Sequence, residues 1–76
     1  MMKDWPLNST ALRGLKSQFP QGCRVRLVRM DDLHAPAPGT EGTVITVDDV
    51  GTVHVAWDNG STLGVVYGAD VCRRIN

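Results

Sequence analysis

Thr52-Val53-His54-Val55-Ala56-Trp57-Asp58-Asn59-Gly60-Ser61-Thr62-Leu63-Gly64-Val65-Val66 is the stretch from which the fold can be read. Successive side chains of an extended chain point to opposite faces. Val53, Val55 and Trp57 therefore share one face, and Thr52, His54 and Ala56 the other. Asp58-Asn59-Gly60 comes next, and Asn-Gly between two β-prone runs meets the positive φ angles of a type I′ turn. The chain is thus predicted to fold back on itself, with residues 61–66 as the returning strand.

The same period of two extends in both directions. Residues 43–47, Thr-Val-Ile-Thr-Val, form a strand joined to 52–57 by the turn Asp48-Asp49-Val50-Gly51. Upstream, Cys23-Arg24-Val25-Arg26-Leu27 alternates apolar and basic residues, which puts Arg24 and Arg26 on one outer face. Between these strands, Pro36 and Pro38 stiffen the loop over residues 31–40, and Gly39 turns it into the next strand. Downstream, Tyr67-Gly68-Ala69-Asp70 reads as a turn and residues 71–75 as a short closing strand. The spacing changes at the other end: Leu7, Ala11, Leu12, Leu15 and Phe19 recur every three or four residues, which predicts a helix over residues 7–19. Asn8, Ser9 or Thr10 supplies its N-cap, and Pro20 stops it.

Five short strands separated by turn signals predict an antiparallel barrel or sandwich. For 76 residues the simplest solution is a mainly β fold, a small five-stranded Src-homology-3-like antiparallel barrel preceded by a short N-terminal α-helix. Residues 1–76 make a single domain, with 1–20 as helix and lead-in and 21–76 as the barrel. Its core is expected from Val25, Leu27, some of Val44, Ile45 and Val47, then Val53, Val55, Leu63, Val65 and Ile75.

Charge narrows the function. The chain is neutral overall, which argues against a domain held on nucleic acid by bulk electrostatics. The distribution is uneven: Lys3, Arg13, Lys16, Arg24, Arg26 and Arg29 face only Asp4 in residues 1–30. Residues 31–70 hold Asp31, Asp32, Glu41, Asp48, Asp49, Asp58 and Asp70 and no Lys or Arg. Arg73 and Arg74 follow. In a small barrel this pattern predicts either pairing across strands or a dipolar surface with a local arginine patch. No apolar run approaches the roughly 18 residues of a membrane span. The opening Met1-Met2-Lys3-Asp4-Trp5-Pro6 has no apolar stretch behind its lysine, so a cytoplasmic protein with no membrane partner is expected.

Little in the chain points to catalysis. No Gly-rich phosphate loop or other cofactor fingerprint is present, and Cys23 and Cys72 lack a histidine at local spacing. Without a close Cys or His pair, Cys23, His34, His54 and Cys72 do not form a zinc pattern. Two cysteines on the first and last strands are expected to be reduced thiols, with a bridge between them as the alternative. The acid pairs Asp31-Asp32 and Asp48-Asp49 lack the alternating acidic pattern of a calcium loop and fit turn chemistry, in which the carboxylate bonds to amides two residues on. The expectation is a protein with no catalytic residues, no metal and no cofactor.

Binding remains. Asp31, Asp32, Leu33 and His34 on the stiffened loop, Asp58 and Asn59 at the hairpin tip, and Tyr67 are the candidate residues for a protein partner. Arg24, Arg26, Arg73 and Arg74 are the alternative, a nucleic-acid face. Against the alternative stands the shortage of rings for base stacking, with only Tyr67 and Trp5 open to that role. A third reading is a structural module, monomeric or weakly dimeric, that pairs through an exposed strand edge.

The run Phe19-Pro20-Gln21-Gly22-Cys23-Arg24-Val25-Arg26-Leu27-Val28-Arg29-Met30-Asp31-Asp32 is followed by Ala35-Pro36 and by Pro38-Gly39-Thr40-Glu41-Gly42-Thr43-Val44. With Val47-Asp48-Asp49-Val50-Gly51-Thr52 and Val55-Ala56-Trp57-Asp58-Asn59-Gly60-Ser61-Thr62-Leu63-Gly64, this string resembles a family of small bacterial domains of unknown function found in phages, prophages and conjugative elements. The resemblance spans residues 19 to about 74. It implies a small cytoplasmic β-barrel of mobile-element origin and brings no catalytic residues. The chain departs from the family pattern at Cys23, where threonine is usual, and at His34, which replaces an aromatic. The second departure removes the ring on which a loop-centred site of that kind would rest.

Overall fold

The computed structural model describes residues 7–76. Trp5, a candidate stacking ring, lies outside them, as does the opening segment. The helix α1 spans Ser9–Gln18. Of the three candidate caps Asn8 takes the role: its Oδ1 accepts from the Ala11 N–H at 2.8 Å. The Phe19 N–H closes the last turn on the Leu15 carbonyl at 3.0 Å, and Pro20 follows. Leu15 and Phe19 are buried and Leu12 packs against them, so the stripe read at spacings of three and four is the face laid on the sheet.

Five antiparallel strands follow: β1 (Arg24–Arg29), β2 (Glu41–Val47), β3 (Thr52–Trp57), β4 (Val65–Val66) and β5 (Val71–Arg74). They pair in the order β4-β3-β2-β1-β5. The mainly β class, the five strands and the leading helix agree with expectation, but the sheet is not closed into a barrel. β4 and β5 approach each other without pairing, and α1 packs over the gap between them.

β4 is two residues long where six were expected, and Trp57 supplies the reason. This buried indole needs a partner for its N–H, and its Nε1 donates to the Leu63 carbonyl at 2.9 Å. Ser61 still closes the hairpin, its carbonyl accepting from the Trp57 N–H at 2.9 Å, but the indole bond, with Ser61 Oγ accepting from the Leu63 N–H at 3.3 Å, holds residues 62–63 out of the ladder. The hairpin tip also differs from a type I′ turn. Only Gly60 has positive φ, at 92°, and its N–H closes on the Trp57 carbonyl at 2.9 Å. This is a turn followed by a left-handed glycine, the three-residue hairpin form.

Two bulges shift the alternation of inward and outward residues. Between Val44, opposite Val55, and Thr46, opposite His54, Ile45 has no partner. The next inward residue is therefore Val47, and Ile45 is exposed rather than part of the core. A second bulge falls between Leu27, opposite Cys72, and Arg29, opposite Val71. The core consists of Cys23, Val25, Leu27, Val44, Val47, Val53, Val55, Trp57 and Val65 from the sheet, closed by Leu15 and Phe19. Leu63 and Ile75, expected inside, are only half-buried: Leu63 sits in the segment drawn out by Trp57, and Ile75 follows the last paired residue.

Candidate binding surfaces

The β1–β2 loop is built from its own backbone. Asp32 Oδ1 accepts from the His34 N–H at 2.7 Å, and the Asp32 carbonyl accepts from the Ala35 N–H at 3.1 Å. Thr40 bonds the Ala37 carbonyl through both its N–H and its hydroxyl, and Leu27 and Gly39–Thr40 exchange two bonds of 2.8 Å at the neck. Pro36 is buried beneath it. With its backbone thus held, the loop presents Asp31, Asp32, Leu33 and His34 outward, and Leu33 is 95% exposed.

The hairpin tip lies at the same end of the sheet. The Asp58 N–H donates to the Glu41 carbonyl at 2.8 Å, which sets Asp58 and Asn59 beside the start of β2, where the long loop ends. Tyr67 does not join them. Its N–H donates to the Gly51 carbonyl at 3.2 Å, at the far end of β3. Six residues of β3 at about 3.3 Å each separate the two ends by roughly 20 Å. Asp58 is also engaged. Its two carboxylate oxygens take both terminal nitrogens of Arg24, at 2.9 and 2.6 Å, and this bidentate bond holds the Asp58 pKa below the usual carboxylate range. The same bond raises the pKa of Arg24.

The four arginines also separate. Arg26 sits opposite Arg73, whereas Arg74 sits opposite the buried Val25. Cross-strand partners share a face, so Arg74 lies on the helix side, where it bonds the carbonyls of Asn76 and Gln18 at 2.8 and 3.3 Å. Arg26 pairs with Glu41 at 3.0 Å, and Glu41 lies 3.5 Å from Arg24 as well. Pairing across strands thus accounts for part of the charge and leaves Arg73 outside it.

The β2–β3 hairpin carries a constellation that linear spacing did not single out. Asp48 Oδ1 accepts from the Val50 and Thr52 N–H groups at 3.1 and 2.9 Å, and its Oδ2 meets His54 Nε2 at 2.8 Å. The bond to His54, followed by the bond from Thr52, holds the Asp48 pKa below its ordinary value. The alternation in 52–57 placed His54 outward, and the aspartate opening the turn was legible; only the hairpin register brings the two together. Both Asp32 and Asp48 therefore bond amides two residues on, as the turn reading expected. Among the described residues no group of three His, Cys, Asp or Glu side chains is placed to hold a metal ion. None of the helices there is long and apolar enough to cross a membrane.

At the unpaired seam between β4 and β5, an apolar cleft of about 370 Å³ opens under α1, walled by Leu15, Phe19, Val65 and Tyr67, with the exposed Val71 at its rim. Cys72 forms part of its lining, and burial, followed by the nearby Cys23, pushes the Cys72 thiol up to about 11. Both cysteines are free. Cys72 stands opposite Leu27, four residues on from Cys23, so the two cysteines are not cross-strand partners.

The model of a family described as a domain of unknown function, DUF4314, matches residues 8–75. The chain belongs to this family. The match runs from the helix cap Asn8 to Ile75, just past β5, so α1 is as much part of the DUF4314 domain as the sheet. No curated protein and no solved structure matches the chain.

Proposed function

We propose that the protein is a non-catalytic binding module that engages a protein partner through the β1–β2 loop. One observation carries the reading: Leu33, 95% exposed, stands on a loop whose backbone is already held by hydrogen bonds within the loop and at its neck. An exposed leucine on a preorganised loop gains about 1.5–3 kcal/mol when a partner buries it. It loses little conformational freedom in the process. Asp31, Asp32 and His34 flank it, and Asp58 and Asn59 stand at the same end of the sheet. The complementary partner has an apolar pocket rimmed by basic groups. Tyr67, at the far end of β3, forms no part of this surface.

The reading extends to the setting implied by the family resemblance, a cytoplasmic protein encoded on phage or other mobile-element DNA and built as an open variant of the Src-homology-3-like barrel. An inhibitor of a host defence complex is one form of it, since carboxylates can occupy a basic channel. The test is capture from host lysate by tagged protein, with nuclease present, read by mass spectrometry for wild type and Leu33→Asp. A stoichiometric protein held by the wild type and lost by a folded Leu33→Asp supports the reading. Equal capture by both sinks it.

A further inference from the structure

We infer that the outer face of the β1–β5 strand pair binds the phosphate backbone of a nucleic acid, independently of the β1–β2 loop. β1 reads Arg-Val-Arg-Leu-Val-Arg and β5 reads Val-Cys-Arg-Arg, so these two strands carry five arginines and no acid. Simple alternation from Arg24 and Arg26 sends Val28 outward and Arg29 inward. The bulge after Leu27 reverses this, because it sets Arg29 opposite Val71 while Arg26 stands opposite Arg73. Val71 and Arg73 are two residues apart on β5 and share a face. Arg26, Arg29 and Arg73 are therefore gathered on one surface, with Arg24 next in line on β1.

Folding alone gives no reason for this arrangement. Like charges directly opposite one another on neighbouring strands are destabilising, and Arg26 and Arg73 are such a pair. Glu41 meets Arg26 at 3.0 Å but is shared with Arg24. Among the described residues neither Arg29 nor Arg73 has an acidic partner within ion-pair distance, and both are exposed. An anion lying between the strands removes the repulsion, and guanidinium groups bond phosphate oxygens in bidentate fashion. The chain is neutral because its acids equal its bases in number, and among the described residues the ion pairs on this face are those of Glu41 and Asp58 with Arg24 and Arg26. A local patch steers an anion whatever the net charge. The surface carries no aromatic ring, so it holds backbone and not bases, and its binding is independent of sequence.

The experiment measures fluorescence anisotropy of mixed-sequence duplex DNA, single-stranded DNA and single-stranded RNA against the full chain, over a range of salt. With three arginines on phosphates, log K against log salt for duplex DNA has a slope of about −2.7. Arg29→Ala with Arg73→Ala brings the slope to about −0.9, while Arg74→Ala, on the helix side, leaves it unchanged. Arg73→Ala alone weakens binding yet raises the midpoint of thermal unfolding, since it removes a repulsion; that readout separates lost contacts from a damaged fold. The inference is overturned if no nucleic acid binds at low salt, or if the double variant binds as wild type does. Equal affinity for polyglutamate overturns it in favour of an acidic polypeptide.

Discussion

Two loops of this domain use the same device to opposite ends. In the β1–β2 loop Asp32 bonds the amide two residues on, and in the β2–β3 hairpin Asp48 does the same. Asp48 also accepts from Thr52 and bonds His54, and Gly51 of the same turn is buried against Leu7. Asp32 makes one such bond, and the backbone it orders lifts Leu33 into solvent. An aspartate at a turn therefore says that the backbone is ordered; its neighbours decide whether the order serves packing or display.

Glycine substitution is the most forceful way to break this comparison. Gly51 and Gly39 have almost the same backbone, with φ of 87° and 93°. A Cβ on Gly51 would stand 2.5 Å from Leu7 Cδ2, whereas one on Gly39 meets nothing within 4 Å. Both alanines carry the left-handed cost of roughly 1–2 kcal/mol. Gly51→Ala adds overpacking, for about 2–4 kcal/mol in all. Urea denaturation reads both, and equal losses would show that the hairpin is no better packed than the loop.

Removing the aspartates comes next in size. Asp48→Ala leaves two amides and His54 without their partner and is expected to cost about 2 kcal/mol; Asp32→Ala, which loses one amide bond, costs about 0.5–1 kcal/mol. If the two variants unfold at the same urea concentration, the further bonds of Asp48 to Thr52 and His54 contribute nothing.

Titration sharpens the contrast. The folded pKa of Asp48 is depressed by His54 and Thr52, so its contribution is present above the ordinary aspartate pKa, near 4. That stability is lost as pH falls below this value and through the folded pKa. Asp58, held down by Arg24, acts in the same window. Asp48→Asn therefore flattens the acid limb of the stability profile without abolishing it, and an unchanged limb would mean that Asp48 carries none of it.

The smallest effect is the most telling for function. Leu33→Asp removes a side chain that packs on nothing, so stability stays within about 0.5 kcal/mol of wild type by thermal unfolding. A larger loss would place Leu33 in the structure of the loop and withdraw it from the binding surface.

Legibility followed the range of the interactions involved. β3 was read to the residue, because alternation and the flanking turns are local signals. Of the candidate loop residues, 31–34, 58 and 59 share one end of the sheet, but Tyr67 does not, since its place depends on the pairing of β4 with β3. The expected neighbourhood of the first and last strands groups Arg74 with Arg24, Arg26 and Arg73 and omits Arg29. Only the registers of β5 and of the bulged β1 reveal that exchange.

Local signals in the chain suffice for a small β-rich domain with a capped helix, five extended segments and turns at its glycines and aspartates, because side-chain alternation and turn chemistry act over a few residues. Tertiary structure decided the rest. A buried indole reaching for the Leu63 carbonyl shortens β4 and leaves the sheet open. The bulges at Val28 and Ile45 arise only when strands of fixed length are set side by side, and they choose which residues face solvent. Such choices depend on what lies across the sheet, and no local pattern carries that information.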